Sequence, residues 1–185
     1  MRKPLFVTAA TMLFAASISA QPTARPPPPE VPATVAAEAV RAYWRVGQQS
    51  AMDVIRPKSA GPHPAIVAIH GGGFRAGSRN SYLPLCIKAA QRGYVCATIS
   101  YRLAPGHQFP APVEDAKAAV RFLRANAAKY DIDPALIGTT GGSAGGHLAL
   151  MLGLTGPLKI FEGSGPHLDT SSEVQAVVNY YGPVD

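Results

Sequence analysis

The chain has 185 residues, 47% hydrophobic and 15% charged, with a formal net charge of +6, and reads as one globular domain with a single substantial core. No run reaches the roughly 18 apolar residues of a membrane-spanning helix. The basic residues are scattered, without the basic stripe and interleaved aromatics that nucleic-acid binding needs.

Arg2 and Lys3, the apolar stretch LFVTAATMLFAAS and the small residues ISA before Gln21 mark residues 1–20 as a secretory signal. Export implies a secreted or periplasmic protein with no membrane span after signal removal. Without Arg2 and Lys3, the 17 basic residues fall to 15 against 11 acidic. QPTARPPPPEVP follows, and its prolines favour an extended tether over residues 21–34. The folded domain is expected over 35–185, starting between Val35 and Tyr43.

RAYWRV and AMDVIRP read as a hairpin around GQQS. AIVAI, residues 65–69, is a β-branched run without alternation, as expected of a strand buried on both faces. Residues 80–92 read as a helix, with Pro84 in its first turn and Gly93 closing it. YVCATIS, 94–100, is the next buried strand. From Pro112 to Tyr130, Val113, Ala116, Val120, Leu123 and Ala127 recur at helical steps. Lys117, Arg121 and Arg124 occupy another face of that helix. LIGTTG and QAVVNYYG are a third and fourth buried strand, separated by a helix after Ser143. This alternation is the grammar of a parallel α/β sheet with helices on both faces. The two cysteines, Cys86 and Cys96, fall in an expected helix and an expected strand. Export permits a disulfide, but two buried thiols are the expectation, and neither belongs to a metal-ligand pattern.

Two glycine-rich loops follow strands. In HGGGFRAGS, Gly71, Gly73 and Ala76 fit a dinucleotide loop, yet the next strand ends in Ser100, Tyr101 and Arg102 without the acid that would hold a ribose. In the second loop, His147 stands where a phosphate-binding loop needs lysine. An acyl-transfer reading explains both loops at once. Gly141-Gly142-Ser143-Ala144-Gly145 is G-x-S-x-G, which places a serine on a strained strand-to-helix turn and turns the Ala144 amide toward a developing oxyanion. Gly71, Gly72 and Gly73 supply bare backbone that can approach the same oxygen.

Four stretches, HGGGFRAGS, SYRLAPGHQFPAPVEDAKAAVRFL, DIDPALIGTTGGSAGGHLAL and YYGPVD, resemble the α/β-hydrolase fold in the esterase branch similar to hormone-sensitive lipase and bacterial acetyl esterases. The resemblance implies a serine carboxylesterase for short acyl esters, with acetyl or feruloyl groups on carbohydrate among the substrates. It implies Ser143 as nucleophile and Gly72, Gly73 and Ala144 as oxyanion donors, with His70, Gly71, Gly141 and Gly145 as supporting positions. No metal or organic cofactor is implied, and oligomeric state is left open.

In this fold the order is nucleophile, acid, histidine. After Ser143 come only His147, one turn along the same helix and expected to pack, and His167 in a polar connection. His63 and His107 read as surface loop residues. Glu114 and Asp115 suit a helix N-terminus, Asp131 and Asp133 a turn, and Asp169 and Asp185 loops. The expectation is therefore a sheet truncated after the strand near residue 180, with the triad Asp and His absent from the chain. The alternative is a non-catalytic binding module of the same fold.

Overall fold

The computed structural model describes residues 27–40, 43 and 50–184. Six strands form one sheet: β1 (Val35–Val40), β2 (Met52–Pro57), β3 (His63–Ile69), β4 (Val95–Ile99), β5 (Ile132–Gly142) and β6 (Ala176–Tyr180). Their order is β1-β2-β4-β3-β5-β6. The β1–β2 and β2–β4 pairs are antiparallel, and β4–β3, β3–β5 and β5–β6 are parallel. β4 is buried along its whole length, and its one polar residue, Thr98, donates to the Arg79 carbonyl at 2.6 Å.

Among the described residues, four helices cover the sheet: α1 (Leu83–Ala90), α2 (Ala111–Ala125), the short α3 (Ala127–Tyr130) and α4 (Ala144–Leu154). The α2 and α4 side chains Val113, Val120, Leu123, Leu148 and Leu152 share one core with Val67, Ile69, Ala97 and Ile137. On the other face, Cys86, Ile87 and Ala90 of α1 pack with Ile55, Ala68 and Cys96. The chain leaves β3 toward β4 on one side and leaves β5 toward β6 on the other. That reversal opens a crevice at the carboxyl ends of β3 and β5, where open α/β sheets bind ligands.

Several expectations change. RAYWRV lies largely outside the described residues, and the strand that pairs with β2 is Val35–Val40. The expected helix over 80–92 begins as a 3-10 turn, Arg79–Tyr82, before α1. Gly93 has φ +86°, a left-handed conformation that suits a residue ending a helix. Cys86 and Cys96 are joined as a disulfide rather than left as thiols, because α1 packs directly on β4 and brings their Cα atoms to 5.0 Å. Lys117 and Arg121 are fully buried, so the basic face of α2 is not a solvent face. It is covered by residues 155–173, whose Glu162 pairs with both cations.

The disulfide closes a loop of about ten residues. Chain-entropy reasoning assigns such a closure about 3 kcal/mol. Cys86→Ala with Cys96→Ala should lower the urea midpoint accordingly, and equal midpoints for the two proteins would refute that contribution.

Candidate active site

Both glycine-rich loops leave the carboxyl ends of adjacent parallel strands, with Ile69 of β3 opposite Gly141 of β5. Ser143 lies between β5 and α4 with φ 54° and ψ −124°, a left-handed conformation costly for a residue with a side chain. Its amide donates to the Tyr180 carbonyl at 2.9 Å, and its own carbonyl accepts from the His147 amide at 3.0 Å. The turn is thus tied to β6 on one side and to α4 on the other. Ala144 is the first residue of α4, so its amide has no acceptor within the helix and points out of the N-terminal end.

Close packing explains the flanking glycines. A Cβ on Gly145 would lie 2.1 Å from the Ile69 carbonyl oxygen and 2.6 Å from that of His70. The start of α4 therefore rests directly on the backbone leaving β3. A Cβ on Gly71 would lie 3.2 Å from the Ser143 Cβ, so the first glycine loop passes against the serine turn. Gly72 has φ +120°, and its carbonyl closes a tight turn by accepting from Arg75 and Ala76. Gly73 has φ +59°.

His70 is buried beneath this loop, with its ring stacked on Tyr101 at 4.4 Å between centroids. Its Nδ1–H donates to the Gly71 carbonyl at 2.7 Å, and the Tyr101 hydroxyl donates to the His70 carbonyl at 3.0 Å. Burial lowers the His70 pKa, offset in part by the Gly71 bond. The folded state resists protonating this ring, whereas the unfolded chain takes the proton near pH 6.5. Stability from His70 is therefore present above that pH and lost as pH falls below it. Melting midpoints should drop more between pH 7 and 5.5 in the parent than in His70→Gln. Parallel pH profiles would remove His70 from the account.

Beside the loops, Phe74, Phe109, Pro112, Val113 and Leu148 line an apolar cavity of about 310 Å³, with His107 and His147 also on its wall. The Ala104 amide donates to the Phe74 carbonyl at 2.8 Å and joins the two loops that border the cavity. Arg102, just before this stretch, donates through its backbone and side chain to the fully buried Asp115, and it pairs with Glu114. The Asp115 carboxyl is pushed up by burial, and its bonds to Arg102 oppose that shift. The two helix-opening acids thus anchor the cavity's border as well as suiting the helix end.

Residues 52–185 match the BD-FAE family. The chain belongs to that family. It is 38% identical to the esterase LipC of Mycobacterium tuberculosis over 138 residues, which cover 72% of this chain and 34% of LipC. The chain thus corresponds to about a third of that relative's length. A truncated form of a carbohydrate esterase from gut microbiota is 34% identical with TM-score 0.71, covering 81% of this chain and 57% of that one. Thermogutta terrifontis esterase 2 phosphonylated by cyclosarin is 31% identical with TM-score 0.71, covering 85% and 59%. The fold of this BD-FAE chain is that of the α/β-hydrolase esterases.

The histidines of the BD-FAE chain have other partners. His63 is half-buried at the opposite end of β3 from Ser143, in the strand rather than in a turn, with Nε2 3.1 Å from the Ser59 carbonyl oxygen. His147 is half-buried and packs, its ring meeting Phe74 edge-on at 5.8 Å, while its Nδ1–H donates to the Pro183 carbonyl at 3.0 Å. His167 packs against Phe122, and His107 borders the cavity. Asp131 pairs with Arg56, and Asp133 accepts from the Ala135 amide. Asp185 lies outside the described residues. Among the described residues, no histidine or carboxylate hydrogen-bonds with the Ser143 hydroxyl, and no cluster of three or more His, Cys, Asp or Glu could hold a metal. Tyr82, Tyr101 and Tyr181 also lie against the two loops, and no motif in the sequence marks them.

Proposed function

We propose that the protein is a serine carboxylesterase with Ser143 as nucleophile and the amides of Gly72, Gly73 and Ala144 as oxyanion donors. The observation that carries this reading is the left-handed turn at Ser143, set between β5 and α4 and against the glycine loop. The Ser143 oxygen attacks the ester carbonyl carbon while a base takes its proton, and the oxyanion forms where the loop amides can donate. Collapse returns that proton to the departing alcohol. Water then attacks the acyl-serine and loses a proton to the same base, which passes it to the Ser143 oxygen as the carboxylic acid leaves.

The apolar cavity receives the acyl half of the substrate, and its size suits short acyl groups. Likeness to a carbohydrate esterase favours a sugar ester. The signal-like residues 1–20 and the disulfide favour an exported protein.

Hydrolysis of p-nitrophenyl acetate by the whole protein tests the reading. Ser143→Ala should lower kcat by roughly a thousandfold or more. Unchanged turnover would remove Ser143 from the chemistry, and no turnover in the parent would favour the binding-module alternative.

A further inference from the structure

The apolar cavity beside the two loops has walls of unequal firmness. Val113 of α2 and Leu148 of α4 are fully buried members of the core, and the Phe74 carbonyl is held by the Ala104 amide. Phe109 lines the same cavity yet is 66% exposed. It lies just before α2, and its ring meets that of Phe161 edge-on, with centroids 5.6 Å apart and planes at 69°. Phe161 does not itself line the cavity, so it supports the Phe109 ring from outside.

Phe161 closes a 3-10 turn, Lys159–Phe161, in the segment that covers α2. Leu158 and Ile160 face water, whereas Phe161 is half-buried and packs against the core. The next residue, Glu162, fastens the turn to α2 through Lys117 and Arg121. Lys117 also donates to the Gly156 carbonyl at 3.2 Å, before the turn, and Arg121 donates to the Pro166 carbonyl at 3.4 Å, after it. The turn is thus pinned on both sides to the helix that carries Pro112 and Val113 of the cavity wall. Apolar side chains could cover α2 without charge. The ion cluster adds a fixed register, with Phe161 against Phe109.

We propose that Phe161 is a positioning residue for acyl selection, bracing Phe109 as the outer wall of the cavity so that short acyl groups are accepted and long ones are turned away. The inference rests on reading Ser143 as nucleophile and the cavity as its acyl site, and it adds the residue that limits that site. An acyl chain longer than the cavity must displace a wall. Val113 and Leu148 cannot yield without opening a close-packed core. Phe109 can swing toward water, but only by giving up its contact with Phe161, and an edge-on aromatic pair is favourable beyond its buried area. A long chain carries that loss and a short one does not, which is discrimination between substrates.

Comparing kcat/KM for p-nitrophenyl octanoate and p-nitrophenyl acetate in the whole protein tests the inference. The octanoate-to-acetate ratio should rise roughly five- to tenfold in Phe161→Ala. It should return toward the parent value in Phe161→Tyr, which restores an aromatic edge. Ile160→Ala removes an outward side chain of the same turn and should leave the ratio unchanged. Because Phe161 acts through Phe109, Phe161→Ala should add nothing to the effect of Phe109→Ala. Binding of octanoate to Ser143→Ala, followed by NMR titration, should tighten by a similar factor when Phe161→Ala is added, and it reads the wall without turnover. An unchanged ratio in folded Phe161→Ala, an equal rise in Ile160→Ala, or independent effects of the two phenylalanines would overturn the inference. Tightened octanoate binding with no turnover by the parent would instead defeat the nucleophile reading and leave the wall standing.

Discussion

Glu162→Ala should destabilise the protein by about 3–5 kcal/mol, the usual cost of leaving buried charges without their partner. Oε1 of Glu162 accepts from Lys117 Nζ at 2.9 Å and from the Ser172 hydroxyl at 2.6 Å, while Oε2 pairs with Arg121 Nη1. Lys117 and Arg121 are both fully buried. Lys117 keeps the Thr155 carbonyl at 2.6 Å, but neutral acceptors do not balance a buried ammonium. The loss is a large share of a typical domain's 5–15 kcal/mol. Burial alone would raise the Glu162 pKa, but the bonds from Ser172 and Lys117 and the charges of Lys117 and Arg121 hold it below its usual value. Its contribution is therefore full above the ordinary carboxylate pKa of about 4.3 and disappears as pH falls through the lower folded value. Urea unfolding at pH 7 should show the deficit in Glu162→Ala. Replacing all three residues by Lys117→Met, Arg121→Met and Glu162→Leu should restore most of it. A loss below about 1 kcal/mol would place the ion cluster in the class of weak surface pairs.

Gly145→Ala should damage both stability and the proposed chemistry. The new methyl would meet two backbone carbonyl oxygens, of Ile69 and His70, at 2.1 and 2.6 Å. Neither can rotate away, since Ile69 is in the central strand and the His70 carbonyl accepts from Tyr101. The start of α4 must retreat, taking Ser143 and Ala144 with it. The expected cost is about 3 kcal/mol, at the upper end of the range for overpacking. Esterase activity should fall roughly a hundredfold, the usual consequence of a displacement near 1 Å. Gly153→Ala is the matched control in the same helix. Its Cβ would meet Val177 Cγ2 at 2.5 Å, the end of a half-buried side chain on β6 that can turn. That variant should lose less than about 1 kcal/mol and keep its activity. If the two variants behave alike, close contact between α4 and β3 does not position the serine.

The parts of this fold that were legible in the sequence are those where local pattern and tertiary role agree. AIVAI is an unbroken apolar run and YVCATIS one interrupted only by Thr98 and Ser100, and they became β3 and β4. The two glycine loops were legible because one follows AIVAI and the other ends LIGTTG with the G-x-S-x-G spacing. The α2 cations were not, because charge at helical spacing ordinarily marks a solvated face, and only the later segment 155–173 supplies the cover. The disulfide depended on how α1 settles on β4, which neither cysteine's local surroundings record. Tyr82 and Tyr181 lie roughly 60 and 40 residues from Ser143 in the chain, and only the parallel β5–β6 pairing and the entry to α1 bring them to it.

The most direct test of the central claim is peptide mapping after exposure of the whole protein to a fluorophosphonate probe. Ser143 should carry the adduct, and Ser143→Ala should carry none. An unmodified Ser143, or equal labelling of Ser143→Ala, would contradict the assignment of this serine as the nucleophile.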